Sequence, residues 1–232
     1  MILVTGNGRL AKELEKLSTD TLPIITLSRR EMDITNEYMV SDVIKKFMIK
    51  PDFPKYLIHT AALTKPMDVN DRNPIMSMDT NVVGTANVAK VCSKYGIKFI
   101  YISTDFVYGD SSLVDENSEV KPSNIYGWSI LGGECIANLI SDSLILRCSL
   151  CDIPFRHKFA FDDVYRNSIT HTDVANIITK VKDEVGIINV GGEYQSVYDF
   201  VSKHQEIKKA SGSHLAPSLN LNVDKLMSII DE

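Results

Sequence analysis

No apolar run in this 232-residue chain approaches the roughly 20 residues that a membrane span requires. The opening "MILVTG" has no basic start, no long apolar core and no small-residue cleavage site of a secretory leader. These absences lead us to expect a cytoplasmic protein without a membrane partner. Cysteine is scarce: Cys92, Cys135, Cys148 and Cys151 are too few and too irregularly spaced for a disulfide framework. Cys148 and Cys151 form a C-x-x-C, but no second cysteine pair or suitably spaced histidine pair accompanies it, so ordinary semi-buried thiols are expected and no metal site. An excess of positive charge is lacking too. Lys and Arg number 25 against 30 Asp and Glu, a net charge of -5, which gives no electrostatic reason to expect nucleic acid as a partner. Small molecules and other proteins remain.

What is present is an alternation. The runs "ILVT", "PIITL", "YLIHT", "KFIYIS", "SLILRCS" and "GIINV" read as buried strands, and the segments between them carry helical periodicity. Leu10, Leu14 and Leu17 share one helix face; Val40, Val43, Ile44 and Phe47 share another after a Thr35/Asn36 start. A longer pattern runs from Asn73 to Tyr95, with Pro74 in its first turn and Gly96 at its stop. Strands alternating with helices predict an α/β fold, a Rossmann-type doubly wound parallel sheet. After about Cys151 the alternation loosens. The expected organisation is a core over 1–150 and a small C-terminal lobe over 151–232 interleaved with the last core elements.

"VTGNGRLAKEL" places Gly6, Gly8 and Ala11 in a G-x-G-x-x-A pattern directly after the first strand and at the start of the first helix. Gly6 allows the tight turn, Gly8 lets backbone approach a pyrophosphate, and Ala11 permits close helix packing. With Arg9 and Leu10 they make up the expected phosphate end of a dinucleotide site. The second strand runs into "TLSRRE". Where an NAD-selective site offers an acidic side chain to the ribose 2'-hydroxyl, Ser28, Arg29 and Arg30 offer a hydroxyl and two cations suited to a 2'-phosphate. NADP(H) is therefore expected in preference to NAD(H), the alternative being a solvated pair of surface arginines.

Further along, "STDFVYGD" (Ser103 to Asp110) is followed by "KPSNIYGWSILGGE". Together with "SRREMDITN" after the second strand, "HTAALTKPMDVNDRNP" after the fourth, "DTNVVGTANVAKVC", "THTDVA" and "NVGGEYQSVYDFV", these resemble the extended short-chain dehydrogenases/reductases, most closely the dTDP-4-dehydrorhamnose reductase family. The resemblance implies NAD(P)H-dependent reduction of a nucleotide-linked 4-keto-6-deoxysugar, as in dTDP-rhamnose biosynthesis. It makes Thr104 the hydroxyl that polarises the substrate carbonyl and Tyr126 the proton donor. It sets Asp33 and Ile34 beside the adenine, Ala61, Ala62 and Thr64 along the cofactor, and Asn81 as a polar residue under the end of the sheet.

One more absence matters most. The family's helix carries a lysine one turn after the tyrosine, where its ammonium holds the nicotinamide ribose and lowers the tyrosine pKa from about 10 toward working pH. Here that position is Ile130, and no Lys or Arg occurs from Asn124 to Ser143. Cations that a fold might bring in are Lys65, Lys121 and Lys158. The segment between Arg147 and "THTDVA" is also shorter than the family's usual length, although Arg156, His157 and Lys158 in it suit a diphosphate or a solvated surface. Two functions stay open. One is a reductase, impaired by the missing lysine, acting on a nucleotide sugar. The other is a non-catalytic NAD(P)-binding regulatory protein, as in the regulatory subunit of methionine adenosyltransferase, working in a homo-oligomer or with a partner enzyme.

Overall fold

The computed structural model describes residues 1–64, 67–109, 113–212 and 218–231, and for 67–69 the backbone alone. Each of the six apolar runs forms a strand: β1 (Ile2–Thr5), β2 (Ile24–Leu27), β3 (Tyr56–His59), β4 (Lys98–Thr104), β5 (Leu144–Cys148) and β6 (Gly186–Val190). They join into one parallel sheet of order β2-β1-β3-β4-β5-β6. Sheet strands that are buried on both faces need continuous apolar runs rather than alternation, which is why these segments stood out.

The helices cover both faces. On one face α1 (Arg9–Lys16) and α5 (His171–Val181) bury Leu10, Leu14, Val174 and Ile178 against Val4, Ile100 and Leu146. On the other, α2 (Glu37–Met48), α3 (Gly84–Tyr95) and α4 (Ile125–Ala137) pack Val40, Ile44, Val88 and Ile130 against Leu3, Leu57 and Phe99. Asn36 caps α2 by accepting from the Met39 amide at 3.0 Å, and Gly96 closes α3 in the left-handed region at φ 64°. The long pattern from Asn73 is helical throughout, but its middle turn, Met78–Val83, is a π-helix. Such a turn inserts a residue and often marks a functional site; here it carries Asn81.

The segment "HTAALT" follows the third strand and not a fourth, because α2 leads directly from β2 to β3. β1 therefore sits between β2 and β3, and the chain reverses its direction of winding there. The two loops that leave β1 and β3 diverge at that point and open a crevice above the strand ends. Beyond β5, residues 149–170 contain no helix; short paired strands, Phe159–Phe161 with Lys208–Ala210 and Tyr165–Arg166 with Gln195–Ser196, take its place. No helix among the described residues is long and apolar enough to cross a membrane.

Candidate active site

The crevice is a cleft of about 480 Å³. Its floor is the end of β1. Gly6 adopts φ +88°, and a Cβ there would stand 3.2 Å from the Ala61 Cα, so both the turn and the close approach of the two loops need glycine. Thr5 stitches the loops together: its carbonyl accepts from the Thr60 hydroxyl at 2.6 Å, and its hydroxyl accepts from the Ala61 amide at 3.2 Å. Below it His59 lies buried, with Nδ1 2.8 Å from the Thr5 hydroxyl and Nε2 3.1 Å from that of Thr85. Burial alone holds its pKa down at about 3, so the imidazole is neutral.

Gly8 begins α1 without a side-chain cap, and a Cβ added to it would meet nothing within 4 Å. Uncapped first-turn amides facing open space are what a pyrophosphate requires. Arg9 and Leu10 line the same wall, as do Ala61, Ala62 and Thr64 opposite. Asp33 and Ile34 line the far end, Ile34 being buried against Gly84. Burial pushes the Asp33 carboxyl up, but hydrogen bonds from Thr35 and Arg29 outweigh it and leave the group below its usual range. The chain's own residues thus fit a dinucleotide, although nothing in the geometry selects between NADP and NAD.

The expected 2'-phosphate cluster is only partly assembled. Arg29 lines the cleft, with its Nε donating to Asp33 at 2.9 Å. Ser28 does not line it: its amide and hydroxyl both donate to Glu31, at 2.8 and 2.6 Å, closing the turn locally. Arg30 is exposed and outside the cleft. Asn81 is also outside, buried behind the wall. Its side chain accepts from the Leu63 amide at 2.7 Å and donates to the Ser129 hydroxyl at 2.8 Å. Ser129 in turn donates to the Tyr126 carbonyl, so Asn81 ties the loop after β3 to α4.

At the closed end, Thr104 leaves the tip of β4 and Tyr126 projects from the first turn of α4, which Asn124 caps by accepting from the Gly127 amide at 2.7 Å. The sequence expectation that Thr104 and Tyr126 share one site is met in space. Burial is the main influence on the Tyr126 phenol and pushes its pKa well up; the Thr104 hydrogen bond opposes this, and the Asp105 charge adds to it. Phe106 meets the Tyr126 ring edge-on at 6.0 Å. Where a lysine would counter the rise stands Ile130, 2% exposed and wedged into the core. Ile102, Leu150 and the Cys148 thiol are further apolar groups lining the cleft.

The two suggested cations that are described do not take the lysine's place. Lys121 and Lys158 do not line the cleft, and Lys65 lies outside the described residues. The basic run divides: Arg156 Nε stands 3.8 Å from Asp152, while His157 and Lys158 border a separate open hollow. The four cysteines are free thiols, and no cluster among the described residues could hold a metal ion.

Sequence reasoning missed two groups. Asp152 and His171 line the cleft opposite Arg9, with Arg9 Nη1 3.2 Å and His171 Nε2 3.7 Å from Asp152 Oδ1. The second is a buried network beneath Thr104. Glu134 of α4 pairs with Arg147 of β5 at 2.8 Å and also accepts from the Ser103 hydroxyl, while Arg147 donates to Tyr108 at 2.9 Å. The i and i+8 spacing of Tyr126 and Glu134 on one helix gave no hint of it, because the partners come from other strands.

Residues 1–151 match the family described as RmlD substrate binding domain. The chain belongs to that family. Over 202 residues this RmlD-family chain is 27% identical to a dTDP-4-dehydrorhamnose reductase of Aggregatibacter actinomycetemcomitans, covering 84% of the chain and 65% of the relative. Over 97 residues it is 35% identical to the methionine adenosyltransferase 2 subunit beta of Xenopus laevis, covering 41% of the chain and 29% of the relative. It thus spans less than two thirds of the curated relatives' length. A solved structure, the dTDP-4-dehydrorhamnose reductase of Bacillus anthracis in complex with NADP, superposes with a TM-score of 0.82 at 24% identity, over 95% of this chain and 88% of that one. At that identity the superposition establishes the fold.

Proposed function

We propose that this chain is a cytoplasmic, NADP(H)-dependent reductase of a 4-keto-6-deoxy nucleotide sugar, slowed by the isoleucine at 130. What carries the reading is the cleft itself, with an uncapped glycine turn at one end and Thr104 beside Tyr126 at the other. In it, the core over 1–150 holds the dinucleotide and residues 151–232 face the sugar. Arg29 takes the 2'-phosphate, and Asp33, Ile34, Ala61, Ala62 and Thr64 line the dinucleotide's path. When bound, the reduced nicotinamide supplies a hydride to the ketone carbon. Thr104 holds the carbonyl oxygen and Tyr126 gives it a proton. With its pKa raised, the phenol is in the protonated form that reduction needs, but it is a weak acid. General acid-base catalysis contributes about 10² to 10⁴-fold when well tuned, so most of that factor is missing here.

The test is NADPH oxidation with a dTDP-linked 4-keto-6-deoxy sugar by the native protein and Ile130→Lys. We expect slow turnover that the lysine raises by about tenfold or more. If neither protein turns over while both bind NADPH, the reductase reading fails. The burial of Ile130 favours a second reading, in which the protein binds the dinucleotide and a partner enzyme without turnover. The 35% identity to the methionine adenosyltransferase subunit also supports it. Tight NADPH binding with a co-purifying partner would decide for it.

A further inference from the structure

Asp152 lies at the cleft's edge among three basic side chains: Arg9 at 3.2 Å, His171 at 3.7 Å and Arg156 at 3.8 Å. Its side chain is 12% exposed, so these contacts act in a partly desolvated setting where charge pairing counts. Arg9 is the residue directly after Gly8, at the uncapped start of α1. Its Nη1 is buried and makes no hydrogen bond, although Asp152 balances its charge from 3.2 Å. A guanidinium held by an off-geometry carboxylate keeps its donors unspent. A diphosphate seated on the α1 amides would offer them better-aligned acceptors.

We infer that Asp152 is an internal stand-in for the cofactor diphosphate, holding Arg9 at the glycine turn so that dinucleotide binding must displace one anion with another. The inference rests on the dinucleotide reading of this cleft. Asp152 thereby sets the affinity of the site. While the pair holds, Arg9 contributes little to binding, and a bound dinucleotide leaves Asp152 to His171 and Arg156. The contact joins the first helix to the segment after β5, 143 positions further on, so cofactor entry also loosens the tie between these two parts.

A double-mutant cycle on NADPH binding, followed by the fluorescence of the bound dinucleotide, tests this without reference to turnover. Asp152→Asn is expected to tighten binding about tenfold, with Asp152→Ser doing the same through a different side chain. Combining Arg9→Gln with Asp152→Asn should abolish that gain, whatever Arg9→Gln does alone. Persistence of the gain without Arg9 would mean that Asp152 is merely a repelling charge and would overturn the inference. So would unchanged or weaker binding by both Asp152 variants, with the cofactor reading intact. If no variant binds NADPH, the cofactor reading fails and the stand-in with it.

Discussion

The two ends of the cleft differ in what they retain. At the glycine turn Gly6, Gly8, Arg9 and Leu10 line the cleft, and the polar groups around them are organised by strand ends, by Thr5 and by a neutral His59. At the other end the Thr104 and Tyr126 hydroxyls are present, but the charge nearest the phenol is that of Asp105, which raises its pKa, and Ile130 stands one turn after it in place of a cation. Backbone geometry holds the first end, and the second has Ile130 where the family's lysine would stand. On the proposed reading binding and turnover are separable, and substitutions at either end should show it.

The largest effect is expected beneath the catalytic end. Glu134→Ala leaves Arg147 buried without its carboxylate and removes the acceptor for Ser103, next to Thr104. Breaking a buried pair from one side costs about 3–5 kcal/mol, readable in urea unfolding. A loss below 1 kcal/mol would mean that the network contributes little to placing Thr104. Next, Gly6→Ala strains a backbone at φ +88° and presses a Cβ toward Ala61. We expect about 1–3 kcal/mol of lost stability and at least a tenfold loss of NADPH affinity. Unaltered affinity would remove the glycine turn from the binding site.

A third effect separates the ends by pH. His59 has its pKa held at about 3 by burial, below the ordinary 6.5, so between those values the unfolded chain binds the extra proton. The stability that a neutral His59 contributes is complete above pH 6.5 and is lost as the pH falls toward 3, at about 1.4 kcal/mol per pH unit. Urea midpoints between pH 7 and 4 should follow that slope, and His59→Asn should flatten it. The smallest effect is a null one: Ser28→Ala and Arg30→Ala should leave NADPH affinity within about twofold, because neither side chain lines the cleft. A large loss in either would return them to the 2'-phosphate site.

The legible part of this site was the part written in local sequence. Gly6, Gly8 and the residues around Tyr126 act within a turn or a helix start, and six apolar runs give six strands because a sheet buried on both faces tolerates nothing else. Ser28 and Arg30 have types that suit a phosphate, but neither lines the cleft, and Glu31, three residues on from Ser28, accepts from its hydroxyl. Asp152, His171 and the Glu134–Arg147 pair were not legible, since their partners approach only through the winding of the sheet. The π turn at Met78–Val83 also left no sequence mark beyond an ordinary helical pattern.

The glycines of α4 carry a final consequence. Any Cβ at Gly133 would run into Tyr101, one at Gly132 would come within 2.8 Å of Val82, and the Tyr101 hydroxyl holds the Ile130 carbonyl at 3.0 Å. The helix rests on β4 with no spacer and cannot roll or slide to offer another residue at this place. Position 130 is accordingly fixed in place: a lysine put there would find the ring, the threonine and the glycine turn in register.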